Sequence, residues 1–217
     1  DNKNELGENN ALAKDVSQYG LSGTFNGAVW NNQGRFGSCV RTERTAGNEV
    51  LINSISVNTA SNAKTTVSFW MKWDGSTVTE MPFGWKSYDL ILHYNPNCFG
   101  FNIGVGDCFG ISPSGLSGKW IHVTAVFNNG NINTGNKLYI DGQRKTLTCR
   151  WGTCNRVGSV TSTAHVGGWG LNINNKFGGL IDELRIWKRE LTPNEVYENY
   201  AANLNKESST QWYLYVN

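Results

Sequence analysis

The fold of this 217-residue chain is decided by the stretch Gly179-Leu180-Ile181-Asp182-Glu183-Leu184-Arg185-Ile186-Trp187 and by Leu191-Thr192-Pro193-Asn194-Glu195 after it. The first stretch is predicted as a β-strand. In the second, Thr192 suits a helix N-cap and Pro193 suits the first helical position. Glu195 completes a capping box, so a helix is predicted to follow the strand closely.

Asp182 places a carboxylate on the predicted inner face of this strand. By the period-two rule it shares that face with three apolar residues, Leu180, Leu184 and Ile186. Burying an unpaired charge is costly, so the carboxylate needs a partner. A metal ion is one candidate. The alternatives are a salt bridge to Arg185 or Arg35, or hydrogen bonds from backbone amides.

The strand and the capped helix together resemble the C-terminal signature of laminin-G-like (concanavalin A-like) jelly-roll domains. Four earlier stretches resemble other strands of that family in the same order: residues 34–37, 67–73, 119–127 and 138–142. The resemblance implies an all-β fold, a two-sheet antiparallel jelly-roll sandwich with a short C-terminal helix. In the family, the position of Asp182 helps to hold a structural calcium ion, which implies Asp15 as the matching early ligand.

The organisation of the chain follows from where this pattern begins and ends. Residues 15–200 are predicted to form the laminin-G-like domain, because short apolar runs alternate there with Gly, Asn and Ser clusters. Residues 1–14 are polar and are expected to be a linker or a peripheral segment. Residues 201–217 are expected to pack on the sandwich or to lead to a further domain. The chain is interpreted as a segment of a longer protein or a processed form.

Charge and hydropathy exclude two classes of partner. The formal net charge is +2, and the Lys and Arg residues are scattered along the chain rather than gathered in a stripe. A nucleic-acid partner would favour a basic face, so none is expected. No apolar run reaches the length of a transmembrane helix, so this segment is not expected to insert into a membrane.

Five cysteines punctuate the sequence. Cys98 and Cys108 bracket a Gly-rich hairpin, and Cys149 and Cys154 bracket a short loop, which predicts two local disulfides with Cys39 left free. A zinc site is the alternative, but its ligands usually come in closer pairs. Disulfides form in oxidising compartments, so the protein is predicted to be extracellular or on the cell surface.

Alternation assigns the faces of the two central strands. Val67, Phe69, Met71 and Trp73 are predicted to line the core, and so are Ile121, Val123, Ala125 and Phe127. The opposite face carries Trp70 and His122 beside polar neighbours. Either loops and the C-terminal tail cover these two side chains, or a ligand does.

The sequence lacks the pattern of a catalytic site. A glycosidase needs two carboxylates that converge on one sugar bond, and no predicted strand carries acids at i and i+2 or i+4. Asp182 and Glu183 are adjacent and therefore point to opposite faces. The three histidines, His93, His122 and His165, lie in different predicted strands and are interpreted as ordinary strand residues. The chain is therefore predicted not to be an enzyme.

Aromatic residues in predicted loops favour a sugar-binding site instead. Aromatic rings stack on the apolar face of a sugar, while amides and carboxylates bind its hydroxyls. The alternative is that these rings fold back and close the ends of the sandwich. The predicted ligand-binding residues are Trp85, Tyr88, Asn102, Asp107, Trp151 and Trp169.

These observations predict a non-catalytic carbohydrate-binding module of a cell-surface or secreted protein, acting in adhesion. Residues 83–111 also resemble lectin-like modules of bacterial and archaeal surface or pilin-like proteins. The expected partners are glycans and other surface proteins. The alternative is a structural or protein-interaction domain of a surface filament or adhesin without a sugar site.

Overall fold

The computed structural model describes residues 8–9, 11–93, 95, 97–104, 106–169 and 175–204. In chain order the strands are β1 (Leu12–Ala13), β2 (Gly23–Asn26), β3 (Val29–Asn31), β4 (Cys39–Thr42), β5 (Glu49–Ile52), β6 (Lys64–Trp73), β7 (Glu80–Trp85), β8 (Tyr88–His93), β9 (Cys98–Ile103) and β10 (Cys108–Ile111). They continue with β11 (Trp120–Asn128), β12 (Gly130–Asn131), β13 (Lys137–Ile140), β14 (Gln143–Arg144), β15 (Thr148–Trp151), β16 (Val157–Gly158), β17 (Ala164–Val166), β18 (Asn175–Lys176) and β19 (Gly179–Trp187), and helix α1 spans Pro193–Leu204.

Seventeen of these strands form two large sheets that pack face to face, and β12 pairs with β16 in a separate two-stranded sheet. The ten-stranded sheet has the order β1-β2-β5-β17-β7-β8-β9-β10-β15, with β18 paired to β7. The seven-stranded sheet has the order β14-β13-β11-β6-β19-β4-β3. All neighbouring strands on these two paths are antiparallel, and β18 alone pairs in parallel among the described residues. The predicted jelly-roll sandwich with a short C-terminal helix is confirmed. The predicted tail beyond residue 204 lies outside the described residues.

The core lies between the sheets and follows the predicted alternation of β6 and β11. The two strands pair residue for residue, from Lys64 opposite Asn128 to Lys72 opposite Trp120. Every core-facing residue predicted for them belongs to the main buried cluster: Val67, Phe69, Met71, Trp73, Ile121, Val123, Ala125 and Phe127. Aromatic contacts join the two layers, because Phe127 lies 5.1 Å from Phe101 of the other sheet, measured between ring centroids.

Protein side chains cover the opposite face of β6 and β11. Phe36, in the turn between β3 and β4, lies 5.8 Å from Trp70, and Tyr200 of α1 lies 5.8 Å from both Trp70 and His122. Side chains of the protein itself therefore cover Trp70 and His122, as the first of the two alternatives predicts. Burial lowers the pKa of His122 to about 3, so this imidazole is neutral at physiological pH.

Helix α1 begins with the predicted capping box. The Glu195 amide donates to Thr192 Oγ1 at 3.3 Å, and the Thr192 amide donates to the Glu195 carboxylate at 2.8 Å. These bonds satisfy two donors that a helix start otherwise leaves open. Val196 is fully buried and packs with Val126 and Tyr139, so the helix is fixed against β11 and β13.

The predicted inward direction of Asp182 is wrong, because β19 contains a β-bulge. Asp182 lies opposite Trp70 but Arg185 lies opposite Ser68, so Glu183 and Leu184 together face one partner residue. Glu183 adopts a left-handed backbone conformation with φ of 50°. The extra residue reverses the alternation of the strand. Before the bulge the core-facing residue is Ile181; after it the residues packed on the core are Leu184 and Ile186. Leu180 and Asp182 share the outward face.

Both predicted disulfides are present. Cys98 pairs with Cys108 and Cys149 pairs with Cys154, while Cys39 is free and buried. Between the first two cysteines, Gly100 lies opposite Gly110. A Cβ on Gly100 would lie 2.3 Å from the Phe109 carbonyl oxygen, and one on Gly110 would lie 2.2 Å from the Phe99 carbonyl oxygen. The two glycines therefore let the backbones of β9 and β10 approach closely.

In the described part of the chain, no helix is long and apolar enough to cross a lipid bilayer.

The close approach of β9 and β10 predicts that Gly100→Ala destabilises the domain. The added methyl group meets backbone atoms that cannot rotate away, so we expect the free energy of unfolding to fall by roughly 1–3 kcal/mol. Denaturant unfolding with the disulfides intact measures the change. Ser87→Ala, at an exposed position, is the control and should change the free energy by less than about 0.5 kcal/mol. Equal stability of the two variants would contradict the tight packing.

Candidate functional site

Two of the predicted sugar-binding residues, Trp85 and Tyr88, lie in the core. Both are fully buried. Trp85 packs edge-to-face against Phe83 and Phe127, and the Tyr88 hydroxyl donates to the Asn136 side chain at 2.6 Å. The prediction that they lie on the surface is wrong, because they belong to the paired strands β7 and β8 rather than to a loop. The alternation of Tyr88, Leu90 and Leu92 is the sequence signal for this burial.

Asn102 lies on the outer face of the ten-stranded sheet, which we define by Asp89, Ile91, His93, Gly100 and Asn102. The alternate residues of β8 and β9 belong to the core cluster, so these five point away from it. The Asn102 amide donates to both Asp89 carboxylate oxygens, at 3.1 and 3.3 Å, and to the Gly104 carbonyl at 2.8 Å. Its own carbonyl oxygen is buried without a hydrogen-bond partner.

The Asp89 carboxyl is buried beneath this face. Desolvation raises the pKa of Asp89 to about 7, although the hydrogen bonds from Asn102 oppose the shift. Asp89 therefore titrates near physiological pH. The outer face consequently carries a carboxyl group that is partly neutral where an exposed aspartate would be fully charged.

Asp107 holds the disulfide loop in place. Its Oδ1 accepts the backbone amides of Thr153 and Cys154, both at 3.1 Å, and its Oδ2 lies 3.4 Å from Arg156 Nε. The Arg150 side chain donates to the Asn97 carbonyl at 2.8 Å. Asp107 is 1% exposed, so its carboxylate acts on the loop and is not open to a ligand.

Trp151 is the residue that this loop presents to solvent. It lies at the end of the edge strand β15, and its side chain is 37% exposed. Its ring packs edge-to-face against His93, with 4.6 Å between centroids. Trp151 lies opposite Cys108, the first residue of β10. Cys108 is bonded to Cys98, which lies opposite His93, so the disulfide brings Trp151 and His93 together.

Sequence reasoning missed His93 as part of the site. Its Nδ1 lies 2.8 Å from the Thr79 hydroxyl, while its Nε2 is buried without a hydrogen-bond partner. Burial lowers the pKa of His93, which keeps the ring neutral at physiological pH. The outward alternation of Asp89, Ile91 and His93 could have placed it on this face, but its contact with Trp151 depends on the Cys98–Cys108 disulfide.

Trp169 lies beside the same sheet, several strands away from Trp151. It follows β17, which pairs with β7, and its side chain is 40% exposed. The order β17-β7-β8-β9-β10-β15 puts four strands between the strands that carry the two tryptophans. In a flat sheet that separation is about 24 Å, and curvature of the sheet shortens it. The structure thus joins Trp151 to His93, beside Asp89 and Asn102, with Trp169 across the sheet.

The predicted calcium ligands have separate surroundings. Asp182 accepts the Phe36 amide at 3.0 Å and the Glu183 amide at 2.9 Å. Asp15 accepts the amides of Ser17 and Leu21 in a loop at the edge of the ten-stranded sheet. Calcium takes six to eight oxygen ligands, and the described ranges hold no group of three or more His, Cys, Asp or Glu side chains suited to a metal. These contacts fit the backbone-amide alternative for Asp182 better than a calcium ion.

A family model described as the Concanavalin A-like lectin/glucanases superfamily (Laminin_G_3) matches residues 44–197. The chain belongs to this family. The match covers most of the sandwich, including Trp151, Trp169 and the bulged strand β19. No curated protein sequence matches the chain.

Solved structures with the same fold include toxin and enzyme domains. The receptor binding domain of botulinum neurotoxin C/D mosaic serotype has a TM-score of 0.58 at 18% identity, over 87% of this chain and 48% of that one. The binding domain of Paraclostridial Mosquitocidal Protein 1 has a TM-score of 0.63 at 16% identity, over 88% and 50%. Domain 4 of AbnA, an extracellular arabinanase from Geobacillus stearothermophilus in complex with arabinotriose, has a TM-score of 0.53 at 21% identity, over 82% and 87%.

These identities show a shared fold and nothing finer. The chain spans about half the length of the first two structures and most of the third. It therefore shares the jelly-roll fold of these neighbours.

The burial of Asp89 predicts how stability changes with pH. The folded state holds this proton up to about pH 7, whereas an unfolded aspartate loses it near pH 4, so the Asp89 contribution to stability falls as pH rises between those values. Asp89→Asn removes that fall. We expect the variant to be more stable than the parent at pH 8, by roughly 2–4 kcal/mol, with the difference shrinking towards pH 4. Denaturant unfolding across this range measures it.

The control for Asp89→Asn is Glu198→Gln, at an exposed position of α1. It should leave the pH profile of stability unchanged. A profile for Asp89→Asn that runs parallel to the parent profile would show that Asp89 titrates normally.

The calcium ion stays a prediction with a direct test. An ion held by Asp182 and Asp15 stabilises only the folded state, so added calcium should raise the melting temperature and a chelator should lower it. Elemental analysis of the purified protein measures the metal itself. An unchanged melting temperature without bound metal would leave Asp182 as a carboxylate bonded to backbone amides.

Proposed function

We propose that this domain is a non-catalytic carbohydrate-binding module of a cell-surface or secreted protein, and that its glycan binds on the outer face beside Trp151. The observation that carries the proposal is the exposed Trp151 ring, which packs edge-to-face on the buried His93. A tryptophan face stacks on the apolar side of a sugar ring.

The Trp151 loop is held in shape before any ligand arrives. The Cys149–Cys154 disulfide closes it, Asp107 accepts two of its amides, and Arg150 ties it to Asn97. A loop that is already ordered loses little conformational entropy on binding. A shallow site of this kind is expected to bind with a Kd of roughly 10 µM to 1 mM.

The comparisons support a binding role of this kind. The arabinanase domain with the same fold is in complex with arabinotriose, and the toxin domains are receptor binding domains. The two disulfides support an oxidising, extracellular setting. The family's description includes glucanases as well as lectins. Asp107 is engaged by the loop and Asp89 by Asn102, which favours binding over catalysis on this face.

The proposal predicts that Trp151→Ala abolishes or strongly weakens glycan binding. Loss of the stacking surface should raise the Kd for any glycan found on an array by about tenfold or more, a free-energy loss of about 1.4 kcal/mol or more. Isothermal titration calorimetry with that glycan measures the change. Trp169→Ala tests whether the site extends across the sheet, and it should weaken longer oligosaccharides more than short ones.

The matched control is Tyr197→Ala, which removes a more exposed aromatic ring from α1, on the other sheet. It should bind normally, and all three variants should keep the parent melting temperature within a few degrees. Normal binding by Trp151→Ala would contradict the site. An array without any glycan hit would favour the structural or protein-interaction alternative.

A further inference from the structure

A groove of about 620 Å³ opens on the seven-stranded sheet, away from the Trp151 site. It lies where β4 and β6 end and β19 begins, and we call it the basic groove. Its lining includes Arg41, Arg44, Lys72 and Leu180. Helix α1 and the Phe36 turn cover the neighbouring part of this face over Trp70 and His122, and the groove begins where that cover stops.

Strand register places two cations on either side of an apolar residue. Leu180 of β19 lies directly opposite Arg41 of β4 and opposite Lys72 of β6. Residues in such a lateral row share one face, and the two outer Cα atoms are about 10 Å apart. The row continues to Trp120 on β11, which lies opposite Lys72. Arg41 and Lys72 can therefore approach one anionic group from opposite sides above Leu180.

The ion pairs of the groove leave Lys72 available. Arg41 pairs with Glu43 at 2.8 Å, and Arg44 pairs with Asp74 at 2.6 Å and with the buried Glu80 at 3.2 Å. Among the described residues, no salt bridge includes Lys72, and its side chain is exposed. Arg44 is held by the buried Glu80, whereas Arg41 belongs to an exposed ion pair, so an incoming carboxylate meets an exposed guanidinium group and one free ammonium group.

We propose that the basic groove binds the carboxylate of a hexuronate unit in an acidic oligosaccharide, as a second site independent of Trp151. The sugar ring lies over Leu180, its carboxylate lies between Lys72 and Arg41, and the side-chain amides of Asn31 and Gln33 bind its hydroxyls. Glu43 and Asp74 line the same groove and repel a ligand with closely spaced charges. This excludes a nucleic-acid backbone and favours a saccharide with isolated carboxylates.

The test titrates the whole domain with a glucuronate-containing hexasaccharide and with the same hexasaccharide after reduction of its carboxyl groups. Calorimetry should detect the acidic form, with a Kd that rises several-fold between 50 and 300 mM salt, and at least tenfold weaker binding of the reduced form. Lys72→Gln and Arg41→Gln should each weaken the acidic form about tenfold. Lys86→Gln, an exposed lysine in the turn between β7 and β8, is the matched control and should bind normally.

The variants change exposed side chains, so an unchanged melting temperature confirms that they fold. Trp151→Ala should bind the acidic hexasaccharide normally, which keeps this test separate from that of the first site. Equal binding of the acidic and reduced forms, or normal binding by Lys72→Gln, overturns the proposal. A short poly-glutamate peptide that binds more tightly than the hexasaccharide also overturns it, because the groove would then recognise an acidic peptide.

Discussion

The pairing of β6 with β11 on one side and β19 on the other is the constraint on which the rest of the structure depends. This ladder fixes which side chains enter the core, since nine consecutive pairs join β6 to β11 without interruption. Because the inner residues are committed to packing against Phe83, Phe101 and their neighbours, the alternate residues must be covered separately. Helix α1 and the Phe36 turn cover them over Trp70 and His122 and leave the row of Arg41, Leu180 and Lys72 open. The open row is therefore a by-product of how far the covering elements reach.

On the other sheet, the close approach of β9 and β10 sets the position of Trp151. Two opposed glycines allow that approach, and the Cys98–Cys108 disulfide joins the residues that lie opposite His93 and Trp151. Asp107 and a disulfide then hold the loop there. The two proposed binding surfaces therefore lie on opposite sheets and arise by different means, one from incomplete cover by α1 and the Phe36 turn and one from the close approach of β9 and β10. Each surface combines an apolar patch with a few polar groups, the usual composition of ligand sites.

The sequence predicts the regular strands, the helix and the disulfides better than it predicts irregularities and contacts between distant strands. The capping box of α1, the faces of β6 and β11 and both disulfides follow from spacing alone, because each is a local rule with one dominant cause. The predicted loop position of Trp85 and Tyr88 is wrong, because the polar turn between them is only two residues long and both residues belong to strands. His93 and the basic groove required register between strands distant in sequence. The direction of Asp182 required the bulge at Glu183, where a residue without glycine's freedom adopts φ of 50° and gives no composition signal.

That bulge gives β19 a change of phase. If Gly179 is position 1 of the strand, the core residue Ile181 is at an odd position, whereas Leu184 and Ile186, which also pack on the core, are at even positions. The two halves of the strand therefore alternate in opposite phase. A length change of one residue between Asp182 and Leu184 would restore a single parity and turn either Ile181 or the pair Leu184 and Ile186 outward. We therefore expect this strand to tolerate substitutions but not insertions or deletions, because the residues before and after the bulge must both keep their core-facing side chains in place.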